Sequence, residues 1–143
     1  MVLISERDLK DKEVLVVDDQ EFARELMRRT LMSLGMSVTT ASSGEAALEI
    51  LEDNVPDIIL LDAYMPNMTG PELCRHIRAN ASTKTVPVIF ITVDCSEPNV
   101  TECLAAGASD IVTKPVHHTL FSKRLRIHLT LKHLYDEGKL ADI

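Results

Sequence analysis

The sequence predicts an α/β fold, an open parallel sheet of five strands with helices packed on both faces. Three observations carry that prediction. Short apolar runs alternate five times with stretches of helical period. One run, Ile58-Ile59-Leu60-Leu61, is apolar on both faces, as a buried central parallel strand must be. A length of 143 residues, with 45% hydrophobic and 26% charged, suits one folded domain around one core.

The first run, Glu13-Val17, ends at Asp18-Asp19. A helical pattern follows, with Phe22, Ala23, Leu26, Met27, Thr30, Leu31 and Leu34 expected on one buried face and Gly35 as its stop. Met36, Val38 and Thr40 alternate as in a half-buried strand. Ser42 or Ser43 caps a second helix carrying Ala46, Ala47, Ile50 and Leu51. After Pro56 and the central strand, the turn Met65-Pro66-Asn67-Met68-Thr69-Gly70 leads into a helix started by Pro71, with Leu73, Cys74 and Ile77 inward. Val86-Ile91 reads as a fourth strand, with Pro87 near its start, where a missing N–H matters least. A short helix around Asn99-Ala106 stops at Gly107, Ile111-Thr113 is the fifth strand, and a long helix runs from Thr119 to Tyr135.

Charge and composition exclude several functions. A net charge of −7, no Trp and 3% aromatics leave neither a basic face nor a stacking platform, so direct nucleic-acid binding is not expected. No apolar run approaches the roughly 18 residues of a membrane span, and Met1-Val2-Leu3-Ile4 is shorter than a signal-peptide core. Cys74, Cys95 and Cys103 lack CxxC spacing and read as thiols of a reducing cytoplasm. His128 and His133, five apart, diverge on a helix and form no transition-metal set. The scattered glycines at 35, 44, 70, 107 and 138 build no GxxxxGK[ST] loop for nucleotide phosphates.

The chemistry of an open parallel sheet lies outside the carboxyl ends of its strands. There the sequence places Asp18 and Asp19, Asp62, Thr92 and Lys114. Singly, each reads as a helix cap or as solvated surface. Together they gather three carboxylates, a hydroxyl and an ammonium on one rim. Clustered carboxylates repel, and a hard divalent cation such as Mg²⁺ removes the conflict with an all-oxygen ligand set. Thr92 can hydrogen-bond a phosphoryl oxygen and Lys114 can neutralise its charge. Asp62 follows the most apolar strand and is the best-placed carboxylate nucleophile.

These residues carry a family resemblance. Val16-Val17-Asp18-Asp19, Leu61-Asp62 with Met65-Pro66-Asn67-Met68-Thr69-Gly70, Ile91-Thr92, and Gly107-Ala108 followed by Lys114-Pro115 resemble the receiver domain of two-component response regulators. The resemblance covers residues 12–135, leaving an N-terminal extension over 1–11 and a tail over 136–143. It implies a flavodoxin-like, doubly wound (βα)5 sheet of strand order 2-1-3-4-5. It also implies phosphoryl transfer from a histidine kinase or histidine phosphotransfer protein to Asp62. Asp19, Asp62 and the Tyr64 backbone carbonyl would ligate Mg²⁺, with Asp18 acting through water. Thr92 and Lys114 would bind the phosphoryl group, and the Lys114-Pro115 peptide would be cis. An effector protein or an attached output domain would receive the signal, in the cytoplasm.

Three positions depart from the family pattern. Ile111 stands where an aromatic switch residue is common, Thr69 replaces an acidic residue before the turn glycine, and Val93 replaces a small residue after Thr92. By the same resemblance, Tyr64 and Asp94 flank the mouth of the pocket. If the tyrosine ring covers the mouth instead of pointing to solvent, self-dephosphorylation is slow.

Two other readings compete with this one. A Mg²⁺-dependent phosphatase that forms an aspartyl-phosphate needs a second acid two residues after its nucleophile. Those positions hold Tyr64 and Gln20, so a signalling switch is expected and a turnover enzyme is not. An unphosphorylated interaction module would be expected to lack the acceptor or the lysine, and this chain has both. In the last helix Phe121, Leu125 and Leu129 are expected to face the sheet. Leu120, Ile127, Leu131 and Leu134 form a second stripe, either a wide buried face or the seam of a homodimer. The helix also resembles those of receivers whose last helix continues as a stalk.

Overall fold

The structure is a computed structural model and describes residues 9–140. Five strands alternate with five helices: β1 (Glu13–Val17), α1 (Glu21–Ser33), β2 (Ser37–Ala41), α2 (Gly44–Asp53), β3 (Ile58–Leu61), α3 (Gly70–Ala79), β4 (Val88–Thr92), α4 (Glu97–Ala106), β5 (Asp110–Thr113) and α5 (His118–Asp136). The strands are parallel in the order β2-β1-β3-β4-β5, the order implied by the resemblance. The direction in which the chain adds strands reverses between β1 and β3, whose carboxyl ends flank the switch point.

The period of two in the strands sorts the core onto two faces. Leu15, Val17, Ile59, Leu61 and Phe90 point one way, toward Ala47 and Leu51 of α2, Leu73 and Ile77 of α3 and Cys103 of α4. Val14, Val16, Ile58, Leu60, Ile89 and Ile91 point the other way, toward Leu31 of α1 and Phe121, Leu125 and Leu129 of α5. Each full burial of such a side chain contributes roughly 1.5–3 kcal/mol. The packed core reaches back to Leu9, fully buried against the α1–α5 side, within the segment expected to be an extension. The rest of that segment, residues 1–8, and residues 141–143 of the tail lie outside the described residues.

Local signals account for the helix ends. Ser43, not Ser42, caps α2 by accepting the Ala46 N–H, and Thr69 caps α3 by accepting that of Glu72. Thr69 therefore does the work of the acidic residue it replaces. Gly107 closes α4 in the left-handed conformation. The Lys114-Pro115 peptide is cis, and Cys74 and Cys103 are buried while Cys95 is exposed.

Two sequence expectations need correction. Phe22 and Leu26 do not join the buried face of α1 and are 80% and 56% exposed. Phe22 lies nine residues from Leu31, about two and a half turns, and therefore on the opposite side of the helix. The sheet covers one arc of the helix only, and that arc holds Met27, Leu31 and Leu34. The other correction concerns α5, which among the described residues ends at Asp136 and does not continue as a stalk. Gly138 turns left-handed at φ 76, Lys139 N–H bonds the Leu134 carbonyl at 2.9 Å and Gly138 N–H bonds that of Tyr135 at 3.0 Å. This pair of bonds is a Schellman closure.

At the amino ends of β4 and β5, the Arg78 guanidinium ties two loops together. Its Nε–H donates to the Gly107 carbonyl at 2.9 Å, and Nη1 donates to the Val86 carbonyl at 2.6 Å. Burial pulls this guanidinium below its ordinary pKa. Arg78→Met keeps the aliphatic packing and leaves those carbonyls without their donor. The expected loss of stability is about 2–3 kcal/mol by urea unfolding.

Candidate functional site

Strand register brings the site together. Val17 pairs with Leu61, so the residues that follow them, Asp18 and Asp62, emerge side by side. The Asp62 N–H bonds the Val17 carbonyl at 3.0 Å, extending the ladder by one step. Thr92 ends β4, and Lys114 follows β5 with its N–H on the Thr92 carbonyl at 2.9 Å. Four residues distant in sequence thus share one rim, with Asp19 next to Asp18.

The loop after β3 is as close-packed as the strands. A Cβ on Gly70 would stand 2.3 Å from the Asp62 carbonyl oxygen and 2.9 Å from the Ala63 Cα. Only glycine lets α3 start this near the Asp62 backbone.

Carboxylate oxygens of Asp18, Asp19 and Asp62 lie within 4.8 Å of one another, the kind of group among the described residues that could hold a metal ion. The Lys114 ammonium sits 3.0 Å from Asp18 Oδ2 and 3.4 Å from Asp62 Oδ2, bridging two of the three. The Asp62 carboxyl is raised above its ordinary pKa, chiefly by burial and further by the Asp18 charge. The Tyr64 N–H, 3.2 Å from Oδ1, and Lys114 oppose that rise. For Lys114, burial acts against the charge, but its contacts with Asp18 and Asp62 outweigh it and the pKa rises. The pocket is a set of like charges held by one internal counter-ion, and an all-oxygen trio of this kind fits a hard divalent cation.

Two hydrogen bonds fix Asp18. Its Oδ1 accepts the Gln20 N–H at 2.9 Å, and its carbonyl accepts Arg24 Nη1 at 2.9 Å. Arg24 escapes a sequence reading because nothing about a basic residue in a helix's first turns marks it as a partner of backbone behind it.

The mouth of the pocket is spanned. Tyr64 is 56% exposed, yet its ring does not simply point away, because its hydroxyl donates to Asp94 Oδ2. That bond raises the phenol and lowers the carboxyl relative to their ordinary pKa values. Asp94 is further bound by the Ser96 N–H at 2.9 Å and by the Asn99 amide, and its own N–H donates to Thr92 Oγ1 at 3.1 Å. Asn99, polar at the start of the inward stripe of α4, is an anomaly visible in the sequence. Val93 stands exposed beside this loop, and Ile111 packs against the core. A cavity of about 620 Å³, lined by Arg78, Gly107, Ser109, His128 and Tyr135, lies at the opposite ends of the strands.

Comparison with known proteins agrees with this geometry. The family model of the response regulator receiver domain matches residues 14–126. The uncharacterized transcriptional regulatory protein YrkP of Bacillus subtilis is 35% identical over 126 residues, which cover 88% of this chain and 53% of that protein. The response regulator PleD of Caulobacter vibrioides is 36% identical over 124 residues, 87% of this chain and 27% of that protein. The chain thus spans about half the length of one and about a quarter of the other. Among solved structures, the Vibrio cholerae chemotaxis protein CheY4 superposes with a TM-score of 0.78 at 32% identity, covering 82% of this chain and 98% of that one. The receiver domain of the Pseudomonas aeruginosa sensor histidine kinase PA1611, solved with a magnesium ion coordinated in its active site cleft, superposes at 0.79 with 29% identity, covering 84% and 98%.

The internal counter-ion generates a prediction. Lys114→Met leaves Asp18 and Asp62 to repel each other and lowers the Tm measured without divalent ions. Added Mg²⁺ then raises the Tm by more than it does in the parent, because the cation relieves a larger repulsion. Equal increments in the two proteins would show that Lys114 does not hold the carboxylates together.

Proposed function

Because the chain belongs to the response regulator receiver family, we propose that it takes a phosphoryl group onto Asp62 from a histidine kinase or histidine phosphotransfer protein. The observation that carries this reading is the meeting of Asp18, Asp19 and Asp62 around the Lys114 ammonium. An Asp62 carboxylate oxygen attacks phosphorus as the bond to the donor histidine breaks, leaving an aspartyl-phosphate and a neutral imidazole. Asp19, Asp62 and the Tyr64 carbonyl would hold Mg²⁺, with Asp18 acting through water. The cation supplies charge neutralisation where carboxylates and phosphoryl oxygens meet. Lys114 turns from the carboxylates to a phosphoryl oxygen, and the Thr92 hydroxyl donates to another.

The result is a stoichiometric switch, without turnover of a substrate. The position where a phosphatase would carry its second acid holds Tyr64, whose hydroxyl is bound to Asp94. Phosphorylation shifts an equilibrium of the face built by α4, β5 and α5. That face carries exposed Leu104, Leu120 and Ile127, and we assign it to a second copy of the chain. An effector protein or attached output domain receives the signal, in keeping with the regulators to which the chain is similar. No helix among the described residues is long and apolar enough to cross a membrane, and the cytoplasm, where kinase and effector meet, is the proposed location.

Exposure to acetyl phosphate and Mg²⁺ tests the assignment by intact mass. The parent gains a phosphoryl group, Asp62→Asn gains none, and Asp19→Asn gains little. Light scattering on the same samples is expected to show dimer in the phosphorylated parent alone. Full labelling of Asp62→Asn at another carboxylate contradicts the acceptor assignment.

The Tyr64–Asp94 bond bears on lifetime. Hydrolysis needs a water in line with the Asp62 oxygen, and a ring tied to Asp94 across the mouth would hinder that approach. Slow loss of phosphate is expected, with severalfold faster loss in Tyr64→Asn, followed in Mg²⁺ after the donor is removed. Decay of the variant at the parent rate would mean the ring is no shield.

A further inference from the structure

We propose that Asn99 is the positioning residue through which Thr92 moves α4, so that one buried amide carries the event at Asp62 to the outer face. The inference rests on the phosphoacceptor reading of Asp62 and concerns the step after it.

Helix α4 is lightly anchored. Its buried residues are Asn99, Cys103 and Ala106, at i, i+4 and i+7, so the inward stripe is an amide, a thiol and a methyl. Helix α5 instead buries Phe121, Leu125 and Leu129, and α3 buries Leu73 and Ile77. Asn99 is 5% exposed, and an amide there is tolerated only where its polar atoms find partners. Its Nδ2 donates to the Asp94 carbonyl at 2.6 Å, while Oδ1 meets only the Cys103 thiol, at 3.9 Å. The short bond reaches out of the helix into the loop after β4.

That loop is bound to Thr92 by the same residue. The Asp94 N–H donates to Thr92 Oγ1 at 3.1 Å, so Thr92, the Asp94 backbone and Asn99 form an unbroken chain of hydrogen bonds from the rim to α4. The Thr92 hydroxyl still has its own hydrogen to give to a phosphoryl oxygen. When it swings to do so, the Asp94 N–H either follows or loses its partner, and the Asp94 carbonyl moves with it. The Asn99 amide follows that carbonyl and takes the first turn of α4 along, since the buried side chains behind it are only a thiol and a methyl and the Arg78 bond holds the far end of the helix, at Gly107. The Ser96 side chain makes no cap, so Asp94, through Ser96 N–H and Asn99, is what ties the start of this helix down.

The experiment follows backbone amide shifts on adding Mg²⁺ and beryllium fluoride, a stable stand-in for the phosphoryl group. In the parent, amides of Asp19, Asp62, Thr92 and Lys114 shift together with those of residues 97–106. In Asn99→Leu, of similar size but without a donor, the rim amides are expected to shift as before, while those of 97–106 lose most of their response. Asn99→Gln, which keeps the amide, restores part of it. Should Asn99→Leu fail to fold, Asn99→Ser, too short to reach Asp94, makes the same comparison. A full response of 97–106 in the donor-less variant overturns the inference, as does a parent whose rim responds while α4 stays still. If the rim amides of the parent do not move, the phosphoacceptor reading fails, and this inference fails with it.

Discussion

Three like charges at the ends of neighbouring strands are the constraint on which the rest of this molecule depends. Carboxylates this close repel one another, so the scaffold must hold them by means other than their mutual preference. The parallel ladder does most of it, because Asp18 and Asp62 emerge from strands paired residue for residue up to Val17 and Leu61. Gly70 lets α3 crowd the Asp62 backbone, and Arg24 and the Gln20 N–H clamp Asp18 from behind. Lys114 supplies the balancing charge from the far edge of the sheet. Each of these is an expense of order, offset by two apolar layers on either side.

The two layers are not equal. The α1–α5 side is filled by branched and aromatic side chains, with Leu9 sealing its end. The other side thins from α2 and α3 toward α4, which presents a thiol and a methyl to the sheet. Rigidity and compliance are thus arranged laterally across one small domain, with the acidic rim above both.

Much of this was legible in the sequence because it is local or periodic. The apolar run 58–61, the cap at Thr69, Pro71 and Gly107 each act through neighbours within a few residues. The rim residues were legible because strand ends can be read from where apolar runs stop. Phe22 and Leu26 misled because hydrophobicity marks what a helix is able to bury, whereas the arc it does bury depends on the curvature of the sheet opposite. The closure at Gly138 is local, yet the apolar stripe leading up to it favoured continuation. Arg24 and Asn99 act through backbone carbonyls, and although a polar residue on the inward stripe of α4 marks Asn99 as unusual, no pattern of side chains announces its partner or that of Arg24.

The left-handed turn after α5 has a mechanical consequence. A helix that ran on unbroken would behave as a driveshaft, delivering any rotation at His118 undiminished along its axis. Here the axis stops at Asp136, and the Schellman bonds spend the last carbonyls on the chain's own reversal. A rotation of α5 would reach the residues after Gly138 through a turn and not along a continuous helix axis. Within the proposed switch, the flank built by α4, β5 and α5 is then the surface on which a change of shape is read.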